Sequence, residues 1–442
     1  MHPGTGRTRA PAVGLAVALA LLAAAFLVPV LTGWDVDARS DMLGAPPTHG
    51  FWQAKVGLGT VPALLVAGVG VARAEAWALR WSWRRLLAVS YVVALAWMLS
   101  LALVDGTSGL TRVMTNHHEY LITARGIDDV PAMVREYVSR IPNSNPDHWP
   151  THLAGHPPGA VLFFVALVRV GLGGDLAAAL AVVAVAATIP AATLLALRRL
   201  GLDRGARLAA PFLVLSPAAV YLAVSADAVF AACAAWGLAA LAASATSAAR
   251  RGMLAWGLLA GVLLGWCVMS SYGLPLLGLP ALAVLWLARS WWPLPVAAVA
   301  ALAVVLGFAV LGFAWWDAYP VLVDRYWDGI AATRPAAYWT WGNLGALLVS
   351  AGPLLGAGIA VAARREDGER RVLSVLGLAA LASVAVADLS RMSKAEVERI
   401  WLPFVPWMTV TMALLPGGWR RWGLGLQVVT ALLVQHLLYT SW

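Results

Sequence analysis

Cysteine is nearly absent from this 442-residue chain: Cys233 and Cys267 are the only two, and both lie inside apolar runs. That excludes a disulfide framework and any CxxC-type metal spacing. Charge is scarce too, with 12% of residues Asp, Glu, Lys or Arg, where ordinary soluble domains carry about 25%. At 61% hydrophobic and a mean hydropathy of +0.77, the chain has too few polar residues to cover a soluble core. A soluble globular protein is excluded, and the apolar surface must face lipid in many segments. Acids are outnumbered by bases, 22 to 31, giving a formal charge of +9. Pooled in one patch, that excess would suit nucleic acid. It is instead spread between apolar runs, so it reads as membrane topology, and no nucleic-acid partner is expected.

What is abundant is apolar sequence in lengths near the roughly 20 residues a membrane-crossing helix needs. Runs at 11–33, 55–72, 86–104, 176–197, 207–222, 227–245, 252–270, 273–288, 293–313, 342–362, 371–389, 401–416 and 422–440 predict an all-α polytopic protein with thirteen spans. The first run is long and has no small-residue cleavage site before Trp34, so it is expected to be a retained helix. With the N-terminus inside, alternate connections hold Arg73, Arg80, Arg84, Arg85, Arg198, Arg199, Arg204, Arg207, Arg250, Arg251, Arg364, Arg365, Arg370, Arg371, Arg420 and Arg421. The side carrying such a basic excess is the cytoplasmic one. This divides the chain into three spans over 1–104, an external loop with amphipathic and half-inserted helices over 105–175, and ten further spans over 176–442. The half-inserted element is 157–172, apolar but too short to cross. Partial segments survive at membrane depth only where protein or a watery cavity satisfies their backbone.

Polar chemistry collects in that loop. His117, His118, His148, His152 and His156 lie there with Glu119, Arg112, Arg125, Arg135 and Arg140, and loops of this length are usually functional or disordered. Residues 127–141 carry apolar side chains at helical spacing and suit a helix lying on the membrane surface. His148, His152 and His156 recur every four residues and invite a zinc reading with Glu119. Pro150, Gly155 and Pro157 argue against one continuous helix holding them, which favours histidines that hydrogen-bond or contact phosphate, with no metal required.

The series Asn116-His117-His118-Glu119-Tyr120-Leu121, then His156-Pro157-Pro158-Gly159, then Leu197-Arg198-Arg199-Leu200, then Ser216-Pro217 and Asp227 resembles the polytopic GT-C glycosyltransferases. More narrowly, it is similar to the branch of protein O-mannosyltransferases and lipid A aminoarabinose transferases over about 105–290. The resemblance implies inverting transfer of a pentose or hexose from a polyprenyl-phosphate donor to a glycan or glycolipid acceptor on the outer face of the plasma membrane. It makes Glu119 the acid in the family's catalytic position. A base is what the chemistry requires, since the acceptor hydroxyl must lose its proton as the new bond forms. Groups that stabilise the departing lipid phosphate are sought among His156, Arg112, Arg399 and Lys394. Where the family often has Lys, this chain reads Ser270-Ser271-Tyr272, so Tyr272 joins the binding candidates and the phosphate partner must come from elsewhere.

Other residues stay open. GT-C enzymes often keep an essential acid after the first span, which makes Asp35, Asp37 and Asp41 alternative bases, against an ordinary solvated loop. His117 and His118 flank Glu119 as binding candidates. Asp227 matches an acid position in the family and is expected to hold the Glu119 loop through a His or Arg, against simple compensation of a helix dipole. Residues 388–403 form a charged island with Lys394, Glu398 and Arg399, read as a donor or acceptor site. That string also resembles actinobacterial cell-wall glycosyltransferases, among them those that add methylthioxylose to lipoarabinomannan. Aromatic residues over 313–341 suit an interfacial girdle or sugar stacking. The competing class is a transporter or flippase of lipid-linked sugars, which would place polar groups near the midplane of broken helices. Here they gather at one face.

Overall fold

The computed structural model describes residues 5–38, 44–364 and 367–440. The protein is all-α: among the described residues the one sheet is an antiparallel pair of three-residue strands, Gly50–Trp52 and Leu438–Thr440. Among the described residues eight helices are long and apolar enough to cross a membrane. They are Arg9–Thr32, Thr60–Arg80, Trp83–Asp105, Asp175–Arg199, Ala226–Ala245, Arg250–Val268, Pro293–Val310 and Gly368–Leu389. Ala336–Ala351 and Leu354–Ala362 would make a ninth if counted together, but they meet at 104°. Three further apolar stretches form shorter helices, Gly159–Arg169, Leu274–Leu287 and Val405–Leu414. The run at 207–222 ends its main helix, Asp203–Val214, after 12 residues. The last helix, Gly417–Leu437, is long enough but carries Arg420, Arg421, Gln427, Gln435 and His436.

Packing follows composition. Ala226–Ala245 is 89% buried and sits at the centre, whereas the first helix is 22% buried and shows Val13, Val17, Val30 and Leu31 outward. Without a hydrophobic force between helices in lipid, close backbone approach has to hold them together, and small residues allow it. A Cβ on Gly14 would lie 2.2 Å from the Gly356 carbonyl, so only glycine lets the first helix meet Leu354–Ala362 there. At the 104° bend, Gly352 (φ +79°) and Pro353 break the helix. Gln427 satisfies the freed backbone: its Oε1 accepts from Leu354 N at 3.3 Å and its Nε2 donates to Ala351 O at 2.6 Å.

The helices share two ends. At one, Arg198 and Arg207 stack on Trp83, Arg207 donates to Ala78 O and Trp81 O, and Arg420 pairs with Glu75. At the other, Trp83–Asp105 delivers Asp105 to Lys55 and Arg112. Lys55 is brought there by the strand pair, since Gln53 N and Lys55 N donate to Leu437 O and His436 O. The large loop begins at this second end.

Candidate active site

Four chain segments converge at the loop end. The first is a turn built by Asn116, whose Oδ1 accepts from His118 N at 2.9 Å and whose carbonyl accepts from Glu119 N at 3.0 Å. Glu119 then stands at the start of helix Tyr120–Arg125 in extended conformation, and its carboxylate does not cap that helix. The second is the turn Thr151–Ala154, pinned from outside: His152 N donates to His118 O, and the Tyr137 hydroxyl donates to Leu153 O at 2.8 Å and His156 O at 3.1 Å. The third is the first turn of the central helix, which carries Asp227. The fourth is the turn Val397–Ile400, preceded by Ala395 (φ +71°) and Glu396 (φ +61°), two consecutive non-glycine residues in the left-handed region. Such strain persists only where surroundings enforce it, and it clusters at functional sites.

Arg399 is the hub, 4% exposed. Its Nη1 donates to Asp227 Oδ2 at 2.7 Å, and its Nη2 donates to Glu396 Oε2 at 2.7 Å and to His152 Nδ1 at 3.1 Å. A guanidinium is always a donor, so His152 Nδ1 must be the acceptor and its proton must sit on Nε2. That proton faces Glu119 Oε1 across 3.5 Å, longer than a direct hydrogen bond. Burial and the Arg399 charge both hold the His152 imidazole neutral, well below its ordinary value. His156 is lowered as well, chiefly by burial, and its Nδ1 donates to His152 O at 2.8 Å.

The acids then divide into two kinds. Burial raises Glu119; Arg399 opposes this, Asp227 and Glu396 reinforce it, and the carboxyl ends at about 7. Burial also acts to raise Glu396, but Arg399 outweighs it with help from His152, Arg334 and His49, leaving it at about 2. Glu119 and Glu396 are thus pushed to opposite sides of the usual carboxylate range, and Glu119 alone is brought near neutrality. That separation marks out an acid or base.

The structure brings Glu119, His156, Asp227 and Arg399 into this group. It puts the other candidates elsewhere. Arg112 lies 3.1 Å from Asp105 and over the Tyr439 ring. The Lys394 ammonium is taken up by two carbonyls, Ala331 O at 2.8 Å and Arg334 O at 2.9 Å, and lies over Trp327. Asp35 accepts from Asp37 N, Asp37 accepts from the Thr333 hydroxyl, and Asp41 lies outside the described residues. His117 and His118 are exposed. Glu398 is fully buried on the Arg399 turn. Tyr272 packs against Trp315 and Tyr319 with its hydroxyl buried and unpartnered among the described residues. Arg325 donates to Ile141 O and Trp149 O, so it fastens the aromatic helix Trp315–Trp327 to the loop. His148 Nδ1 bonds Trp149 O, apart from the other two histidines, and among the described residues no three His, Cys, Asp or Glu side chains group as metal ligands would.

Two members were missed as site residues. His152 had a signal, the four-residue histidine spacing, which favoured hydrogen-bonding histidines over metal ligands but did not single out His152 from His148 and His156. Glu396 lies three residues before Arg399, the spacing of neighbours on one helical turn.

No protein-family model, curated protein or solved structure matches this chain.

Proposed function

We propose that this protein is a membrane-embedded glycosyltransferase of the GT-C type that moves a pentose or hexose from a polyprenyl phosphate to a cell-envelope glycan or glycolipid. In this reading the loop end faces the outside, the N-terminus is cytoplasmic, and the thirteen apolar runs all contribute to the membrane domain. The observation that carries it is Glu119: a buried carboxyl poised at about 7, facing a neutral histidine that Arg399 holds in one tautomer. A general base works best with its pKa near the operating pH.

The acceptor hydroxyl gives its proton to Glu119 as its oxygen bonds to the anomeric carbon. The bond from that carbon to the phosphate oxygen breaks, and its electron pair leaves on the polyprenyl phosphate. Attack opposite the leaving group inverts the configuration. His152 orients Glu119, and Arg399, fixed by Asp227 and Glu396, holds His152 in the tautomer that faces it.

The test is transfer by the purified protein from a radiolabelled polyprenyl-phosphate pentose to a mannoside acceptor. Glu119→Gln should lower the rate about 10² to 10⁴-fold, the usual worth of a positioned base, while Asp35→Asn leaves it near wild type. Full transfer by Glu119→Gln would remove the assignment. A wild-type protein that moves intact lipid-linked sugar between leaflets without transfer would favour the flippase.

A further inference from the structure

A polar cavity lies at the end of the bundle opposite the Glu119 site, where Arg198 and Arg207 meet Trp83. It has a volume of about 570 Å³ and is lined by Glu75, Arg80, Arg420 and Arg421, with Phe212 and Leu424 among its apolar walls. The three arginines are not equivalent. Arg420 is fully engaged: Nε and Nη2 each donate to Glu75 at 3.0 Å, and Nη1 donates to Leu415 O at 2.6 Å. Glu75 is thereby neutralised. Arg80 and Arg421 line the same cavity, are exposed, and make no hydrogen bond or ion pair among the described residues. Two uncompensated positive charges therefore face one polar space.

Against that space runs an apolar groove of about 540 Å³, which shares Val71, Ala72 and Arg421 with the cavity and continues past Val428 and Val429 to Leu64 and Leu432. From Arg421 to Leu432 the last helix rises roughly 16 Å at about 1.5 Å per residue, enough for much of an acyl chain. Leu64 and Val429 are half exposed, so the groove opens sideways on the bundle surface. A free phosphate or a nucleotide would match the arginines but leave the groove empty. A zwitterionic lipid would fill the groove without neutralising the arginines.

We propose that this cavity binds the phosphate headgroup of an anionic phospholipid on Arg80 and Arg421, with one acyl chain lying in the groove between Thr60–Arg80 and Gly417–Leu437. Basic pockets between membrane helices recognise such headgroups, and each basic residue near an anionic lipid surface contributes about 1 kcal/mol.

The 442-residue chain in mild detergent is tested by native mass spectrometry and thermal unfolding against phosphatidylglycerol, phosphatidylcholine with the same chains, and inorganic phosphate. Phosphatidylglycerol should stay bound and raise Tm, and the other two should not. Arg80→Gln combined with Arg421→Gln should weaken phosphatidylglycerol about thirtyfold, which corresponds to about 2 kcal/mol. Arg84→Gln, at the same end but outside the cavity, should leave binding unchanged. Gly68 lines the groove, and a Cβ there meets open space, so Gly68→Leu should fold, fill the groove and weaken the lipid with both arginines intact. If the double variant does not fold, Gly68→Leu decides. Equal retention of phosphatidylcholine, binding of inorganic phosphate as tight as that of the lipid, or undiminished phosphatidylglycerol binding in either variant would overturn the proposal.

Discussion

The protonation of Glu119 can be measured without knowing any substrate. Its carboxyl stands at about 7 because burial and two neighbouring acids outweigh Arg399. Removing one of those acids should therefore lower it. Glu396 reaches Glu119 through a relay of 2.7 Å to Arg399, 3.1 Å on to His152, and 3.5 Å from the far side of the imidazole ring. The two carboxylates thus lie within roughly 12 Å, and at an effective dielectric constant of about 20 their repulsion is about 1.4 kcal/mol, or about one pKa unit. Infrared difference spectroscopy reads the carbonyl stretch of a protonated carboxyl, and the band absent in Glu119→Gln identifies the residue. The wild-type band should vanish with a midpoint near pH 7, and in Glu396→Gln the midpoint should fall to near 6. A midpoint that stays put or rises in Glu396→Gln would refute the electrostatic account of the site. A wild-type midpoint near 4.5 would show that Glu119 is no more than an ordinary carboxylate.

Stability should follow the same group. Glu119 is raised when folded, so its contribution is fully present below its unfolded value of about 4.5 and is lost as pH rises through about 7. Thermal unfolding in detergent should weaken over that window by up to about 3 kcal/mol, and Glu119→Gln should flatten the slope. Asp227→Asn leaves Arg399 without one of its two carboxylates and should cost about 3 to 5 kcal/mol, read as a lower Tm; an unchanged Tm would contradict a buried pair at 2.7 Å. Lys394→Met removes two hydrogen bonds to carbonyls and should cost about 1 to 3 kcal/mol without moving the Glu119 midpoint. A moved midpoint would return Lys394 to the site.

Composition made the all-helical membrane character legible because lipid exposure is a matter of average polarity. The extents of individual helices were less so. The runs at 207–222, 273–288 and 401–416 contain Pro217, Pro275 and Pro406, and that at 342–362 contains Gly352-Pro353. These residues leave hydropathy high while they shorten or turn the helix. That is why an unbroken apolar run at 342–362 becomes two helices at 104°. Within the site, Glu119, Asp227 and Arg399 stood out as charges at the edges of apolar sequence. Their mutual arrangement did not, since Arg399 meets His152 and Asp227 across 247 and 172 residues. The left-handed backbone of Ala395 and Glu396 has no sequence signal either, because neither is glycine or asparagine. Asp35, Asp37 and Asp41 stood behind Glu119 as alternative bases. Burial and the His152 contact separate Glu119 from Asp35 and Asp37.

The wide separation of Asp227 from Arg399 has a consequence for biosynthesis. At about 5 to 20 residues per second, a ribosome needs roughly 10 to 35 s to travel the 172 residues between them. During that interval the central helix has to enter the bilayer with a carboxyl that lacks its guanidinium partner. A nascent chain halted before Arg399 would carry an orphan acid on its central helix, and only the arrival of the last third of the sequence cancels that charge.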